Sequence, residues 1–295
     1  MKLTGIVTIG TYYSPWFPYT IASIYPICDE IVVSNYGYDI TNPKIDVWVP
    51  LDRVTEDIMR LDVNHKIVEL RTCDPLRLKH KFPILTQQEA NERNTNDWYA
   101  VKGMGMTHAN EVAVARGATN ILKIDTDQVC YKDVFKLKDI LHKSTDEGYI
   151  FHQYELAGLV GGPETYYSIP KPRESFDDSV FVYKAYAWQW YGGGGSPSLG
   201  LIFGDRQKVD DYHCAHLRNA NPYWTSEHDQ FNHFFQRAWL RLYVNEFSRF
   251  CRELDRKAKD TAIDMMKYAN KEIADIRAPE VCYYSNPLDY IKENI

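Results

Sequence analysis

Long apolar runs are scarce in this chain of 295 residues. A run such as the one inside Glu30-Ile-Val-Val-Ser34 breaks within a few residues, far short of the ~20 that span a bilayer, so no transmembrane helix is expected. Paired cysteines are missing too. Cys28, Cys73, Cys130, Cys214, Cys251 and Cys282 are widely spaced, with no Cys-x-x-Cys pair. A chain of this size needs no disulfide staples, so free thiols in a reducing cytoplasm are expected. A surplus of positive charge is also lacking: 34 Lys and Arg against 40 Asp and Glu leave a formal charge of −6. Without a diffuse positive field the chain is not built to hold a phosphate backbone, which argues against a nucleic-acid partner. Small anions would need a local solution. The segment Met1-Lys-Leu-Thr-Gly-Ile-Val-Thr-Ile-Gly10 has one positive charge and no small-residue cleavage site, so it reads as a first strand and not as a signal peptide. Low complexity is confined to Gly192-Gly-Gly-Gly195.

The 44% hydrophobic and 25% charged residues are those of a globular protein with a full core. The first half alternates strand-like and helix-like segments. Thr4 to Ile9 is a β-branched run, punctuated by Gly10-Thr-Tyr-Tyr-Ser-Pro15 and followed by a helical stretch from Trp16 to Tyr25. Strands are predicted over Glu30 to Val33, Lys66 to Arg71 and Ile121 to Ile124. A helix from Trp98 to Arg116, stopped by Gly117, precedes the last of these. Such alternation predicts an α/β fold, a mainly parallel, doubly wound sheet with helices on both faces.

The polar stretch from Cys73 to Asn96 reads as an inserted loop near the strand ends, a candidate active-site lid. Beyond Asp127 aromatic-rich strands are expected around Tyr149 to Tyr154 and Val180 to Tyr191. Arg252 to Ile276 carries Leu254, Ala258, Ala262, Met265, Ala269, Ile273 and Ile276 at helical intervals. This divides the chain into a domain over residues 1–250 and a helical extension over 251–295, whose apolar face suits the domain or a second copy of the chain.

The strongest chemical signal is Ile121-Leu-Lys-Ile-Asp-Thr-Asp127, an apolar strand ending in two carboxylates one residue apart. In open α/β sheets ligands bind beyond the carboxyl ends of the strands. Carboxylates there can hold a hard divalent cation, which keeps several waters and bridges substrate phosphates. An acidic protein can bind an anion in this way. A solvated strand-to-loop turn would look the same on the tripeptide alone.

The order of these segments resembles the nucleotide-sugar-dependent glycosyltransferases of the GT-A fold, most closely the large family 2 type. The carrying residues are Lys102-Gly-Met-Gly-Met-Thr-His-Ala-Asn110, then Ala115-Arg-Gly117, then the strand ending in Asp125-Thr-Asp127. Tyr191-Gly-Gly-Gly-Gly-Ser-Pro-Ser-Leu-Gly-Leu-Ile-Phe-Gly204 is similar to the glycine-containing strand and loop that passes under the two sugars in that family. The resemblance covers roughly residues 4 to 245 and implies a Rossmann-like GT-A domain that moves a sugar from a nucleotide-diphosphate donor to a carbohydrate or other hydroxyl acceptor. It implies donor contacts at Thr8, Gly10, Tyr12, Asn35, Asp39, Lys102 and Asp125. Where an acid usually follows the second strand, this sequence has Ser34-Asn35. It also implies Mn²⁺ or Mg²⁺ held through Asp127 with help from Asp125, with His216 of Tyr212-His-Cys-Ala-His-Leu-Arg218 as a further ligand. His213 would share a face with His216 if that segment were helical.

An acceptor hydroxyl is a poor nucleophile until a base takes its proton in the transition state. Trp224-Thr-Ser-Glu-His-Asp-Gln-Phe231 supplies two candidates, Asp229 and Glu227, placed in sequence much as the family places its catalytic carboxylate. Acids in the first turn of a capped helix give the same pattern. A catalytic base implies inversion at the anomeric carbon. A retaining enzyme of the same fold, a nucleotidyltransferase and a non-catalytic carbohydrate-binding relative are the alternatives. A nucleotidyltransferase normally has a basic loop after the first strand, and Gly10-Thr-Tyr-Tyr-Ser-Pro15 has no Lys or Arg. Twenty-two tyrosines and seven tryptophans offer platforms for sugar rings, with Trp188, Trp190 and Trp224 as candidates.

Overall fold

The computed structural model describes residues 1–9, 16–35, 51–71, 98–143, 148–159, 166–170, 180–185, 207–221, 275–276 and 278–295. Its centre is β1 (Leu3–Ile9), every residue of which is buried. Flanking it in parallel are β2 (Glu30–Asn35) on one side and β4 (Asn120–Asp125) on the other, with β3 (Ile67–Arg71) parallel to β2 at the edge. These four strands were all legible as β-branched or apolar runs, and their carboxyl ends lie side by side: Thr8 pairs with both Ser34 and Asp125.

Beyond β4 the sheet changes character. β8 (Phe181–Lys184) runs antiparallel to β4, β6 (Gly148–Leu159) antiparallel to β8, β7 (Tyr166–Pro170) antiparallel to β6, and the two-residue β10 (Asp275–Ile276) antiparallel to β7. The long β9 (Gln207–Asn221) lies parallel to β6, with two register shifts, and antiparallel to the short β5 (Gln128–Cys130). The parallel centre thus continues into an antiparallel wing.

Helices cover both faces, as alternation along the strands requires. Val7, Ile9, Val33, Leu122 and Ile124 face one layer and share a core with Phe17, Ile21 and Ile24 of α1 (Phe17–Ile24). Ile6, Val32 and Ile121 face the other way, against Ala109 and Ala113 of α3 (Trp98–Ala115). α1 approaches β1 closely because residue 5 is glycine: a Cβ there would sit 3.0 Å from Ile24 Cδ1 and 3.2 Å from Cys28 Sγ. α3 stops where expected. Gly117 takes φ +87°, its N–H donates to the Val114 carbonyl and the Ala118 N–H to the Ala113 carbonyl, the paired bonds of a Schellman motif.

α2 (Leu51–Leu61) was not anticipated from the sequence, although Val54, Ile58 and Leu61 recur at helical spacing and are buried. α4 (Leu137–Lys143) follows a short 3₁₀ turn over Lys132–Lys136. At the end of the chain α5 (Pro287–Asn294) is capped by Asn286, whose Oδ1 accepts from the Leu288 N–H at 3.2 Å and from Arg60 of α2 at 3.1 Å. Tyr290 and Ile291 of α5 join the core of β1 and α1. The helix expected over Arg252 to Ile276 does not reach its predicted end: Asp275 and Ile276 are strand, and 251–274 lie outside the described residues. Among the described residues no helix is long and apolar enough to cross a membrane.

Candidate active site at the strand ends

Alternation puts Thr8, Ser34 and Asp125 on the same face as Ile6, Val32 and Lys123, the face that α3 covers. At the carboxyl ends this face changes from apolar to polar in one step. Thr8 Oγ1 is buried with no hydrogen-bond partner among the described residues, and Ser34 is fully buried. Buried hydroxyls usually find partners, so an unbonded one at the end of a parallel strand marks where a ligand would be met.

Lys123 is the residue that sequence reading passed over. It stands within an otherwise apolar strand, between Leu122 and Ile124, and is only 2% exposed. Its Nζ lies 2.8 Å from Asp125 Oδ2 and 5.7 Å from the centre of the Phe181 ring. A buried ammonium needs a counter-charge close by, and residue i+2 on a strand is the nearest side chain on the same face. The signal was in the sequence: a lysine two residues before the first acid, inside a run too apolar to leave it in water.

After Asp125 the chain turns through Thr126 and Asp127 into β5, and several hydrogen bonds fix this turn. The Asp125 N–H donates to Gln128 Oε1 at 2.8 Å, and Gln128 Nε2 reaches Gln153 Oε1 on β6 at 3.4 Å. From the other side Thr20 Oγ1 of α1 donates to the Thr126 carbonyl at 2.9 Å. The Cys130 N–H donates to Ser23 Oγ at 3.2 Å, and the Leu217 N–H of β9 to the Asp127 carbonyl at 2.7 Å. Gln128, Gln153 and Thr20 were not anticipated, since only the tertiary fold brings α1, β6 and β9 to the turn.

β9 then delivers His216. It pairs across from Gln128, and its Nε2 lies 3.3 Å from Asp127 Oδ2. Both side chains are largely buried. His213 does not join it. The segment is a strand, so residues three apart point to opposite faces, and the shared face expected of a helix is not formed. His213 instead pairs through Nδ1 with Asp133 Oδ2 at 2.6 Å and stacks on Tyr154 with ring centres 5.6 Å apart. Burial pushes the Asp133 carboxyl up, and its bonds to His213 offset this only in part.

Among the residues proposed from sequence, the structure therefore pairs Thr8 with Asp125 across β1 and β4 and sets Asp127 against His216, with Asn35 at the end of β2 beside Ile9. Lys102 lies in the second turn of α3. Gly10, Tyr12, Asp39, Glu227 and Asp229 lie outside the described residues, as do the expected lid from Cys73 to Asn96 and the three tryptophan platforms.

As a cation site the donor set fits in part. Adjacent ligands of an octahedral ion with bonds of about 2.1 Å are about 3 Å apart, close to the Asp127–His216 separation, whereas Asp125 is engaged by an ammonium. Among the described residues no three of His, Cys, Asp and Glu gather as a metal-binding group, so water and substrate oxygens would complete any coordination shell.

No family model matches the sequence and no curated protein does. Among solved structures the chain is similar to HddC from Yersinia pseudotuberculosis, at 10% identity over 74% of this chain and 94% of that one, with a TM-score of 0.38. It is also similar to 4-diphosphocytidyl-2C-methyl-D-erythritol synthase from Anaerococcus prevotii, at 10% identity over 63% and 70%, with a TM-score of 0.33. Similarity this slight carries no argument about activity. The Rossmann-like α/β architecture rests on the strand order and the two helical layers themselves.

Proposed function

We propose that this chain is a nucleotide-sugar-dependent glycosyltransferase of GT-A type, working at the carboxyl ends of β1, β2 and β4. The observation that carries the reading is the junction of the Asp125-Thr126-Asp127 turn with His216. The turn sets two donor atoms 3.3 Å apart and follows directly on Asp125, the strand partner of Thr8, whose hydroxyl is buried and unbonded among the described residues. Such a group suits the diphosphate of a donor held through one divalent ion. When bound, Mn²⁺ or Mg²⁺ would neutralise charge on the leaving diphosphate.

The chain's own residues divide the remaining work. Asp127 and His216 would hold the cation, Thr8 and the end of β2 would meet the nucleotide, and Lys123 balances Asp125. Asp229 or Glu227 takes the acceptor proton as the acceptor oxygen bonds to the anomeric carbon. The bond from that carbon to the diphosphate oxygen breaks, and the nucleoside diphosphate leaves with the electron pair. Displacement of this kind inverts the carbon.

The test is a panel of nucleotide sugars with Mn²⁺ and simple hydroxyl acceptors, read for released nucleoside diphosphate and for product stereochemistry. Nucleoside diphosphate and an inverted product are expected. A retained product keeps the transferase but removes the base. Pyrophosphate release would mean attack on phosphorus, and a panel with neither turnover nor thermal stabilisation by any donor would overturn the reading.

A further inference from the structure

The two acids of the turn are not equivalent. Resting on the reading above, we propose that Lys123 is a built-in counter-ion that withdraws Asp125 from metal coordination, so that among the described residues the site takes one divalent cation through Asp127 and His216. Three observations carry this. Lys123 Nζ lies 2.8 Å from Asp125 Oδ2, an ion-pair distance. The ammonium is held in place by burial: Lys123 is only 2% exposed and its Nζ lies 5.7 Å from the centre of the Phe181 ring. The backbone N–H of Asp125 donates to Gln128 Oε1, which fixes the strand end from which the carboxylate meets Lys123.

The electrostatic consequence is direct. A divalent ion close to Asp125 would also lie close to Lys123 Nζ, and at short range inside a protein like charges repel strongly. The ion is therefore favoured on the Asp127 side, where the facing group is an imidazole that binds metal when neutral. Asp125 and Lys123 together contribute no net charge, and a site with one metal-binding carboxylate binds its cation more weakly than a site with two. The ion then depends on the diphosphate for much of its coordination shell and is recruited together with it.

Mn²⁺ alone, followed by the loss of its free-ion electron paramagnetic resonance signal, tests this without nucleotide or turnover. Lys123→Met keeps the length and apolar stem of the side chain and releases Asp125. It is expected to bind Mn²⁺ at least about tenfold more tightly than the unaltered chain, and Lys123→Met with Asp125→Asn is expected to lose that gain. No gain in Lys123→Met, or a gain that survives in the double variant, overturns the proposal. Should Lys123→Met not fold, the same question is put to the unaltered lysine. Asp125→Asn, which leaves the Lys123 charge unbalanced, should then weaken Mn²⁺ binding less than Asp127→Asn, which removes a ligand, and the opposite ranking overturns the proposal. The outcome is separable from the glycosyltransferase reading: Mn²⁺ behaviour as expected with no nucleotide-sugar turnover keeps the counter-ion and discards the reaction.

Discussion

Replacing the Asp127 carboxylate by an amide removes the charge that lies 3.3 Å from His216 Nε2 while keeping the side chain's shape. A cation there offsets repulsion between carboxylate and phosphate, so Asp127→Asn should weaken Mn²⁺-dependent binding of a nucleoside diphosphate at least tenfold by calorimetry. Equal affinity in excess chelator would remove the metal from the account. A second residue-scale expectation separates binding from chemistry. Asp229→Asn cannot accept a proton, so turnover should fall by roughly a hundredfold or more with donor affinity retained. If Glu227→Gln alone stops turnover, the base is Glu227. If neither substitution matters, no carboxylate there acts as a base.

At the scale of elements, positions that sequence marks as punctuation carry measurable weight. Gly117 sits at φ +87° with open space around its missing Cβ, so a side chain there meets no clash and the cost is purely conformational. Gly117→Ala should therefore destabilise the fold by about 1 kcal/mol in urea unfolding, the penalty of left-handed backbone for an L-residue. An unchanged midpoint would mean that α3 ends without the Schellman turn. The strands of the parallel centre were legible because a strand buried on both faces is apolar over its whole length. α2 was missed because its mostly charged surface hides a stripe of three buried residues, Val54, Ile58 and Leu61. Asp275 and Ile276 were read as helix because their apolar spacing suits one, whereas pairing with Tyr166 and Tyr167 of β7 makes them strand. Tertiary pairing outweighs local preference in a segment this short.

Across the whole molecule, stability at low pH should depend on a charge cluster at the opposite end of the sheet from the site. Glu30 opens β2 and binds Lys2 at 3.1 Å and Arg116 at 2.6 Å, tying the start of the chain to the end of α3. Burial alone would raise its carboxyl, but the bonds from Arg116 and Lys2 outweigh that and hold it below the ordinary value of 4.5. An acid with a lowered value in the folded state contributes in full above its unfolded value and loses that contribution as pH falls through the folded one. Denaturant midpoints should thus drop on acidification below about 4.5, and Glu30→Gln should remove part of the slope. Parallel profiles for the two proteins would show that the cluster has no weight in acid stability.

By itself the sequence determined the parallel strands, the helices α1 and α3 with the glycine that stops α3, and the placing of two acids at a strand's carboxyl end. All of these are local: periodicity, punctuation and the change from apolar to polar lie within a few consecutive residues. Tertiary structure alone decided which groups meet those acids. His216 is 89 residues from Asp127, and its approach depends on β9 pairing with β5. Gln153 and Thr20 reach the turn from β6 and α1. Lys123 lies between these cases. Its place two residues before Asp125 is visible in the sequence, but only burial in the folded sheet forces its ammonium onto that carboxylate, because a charge taken out of water must find its partner inside the protein.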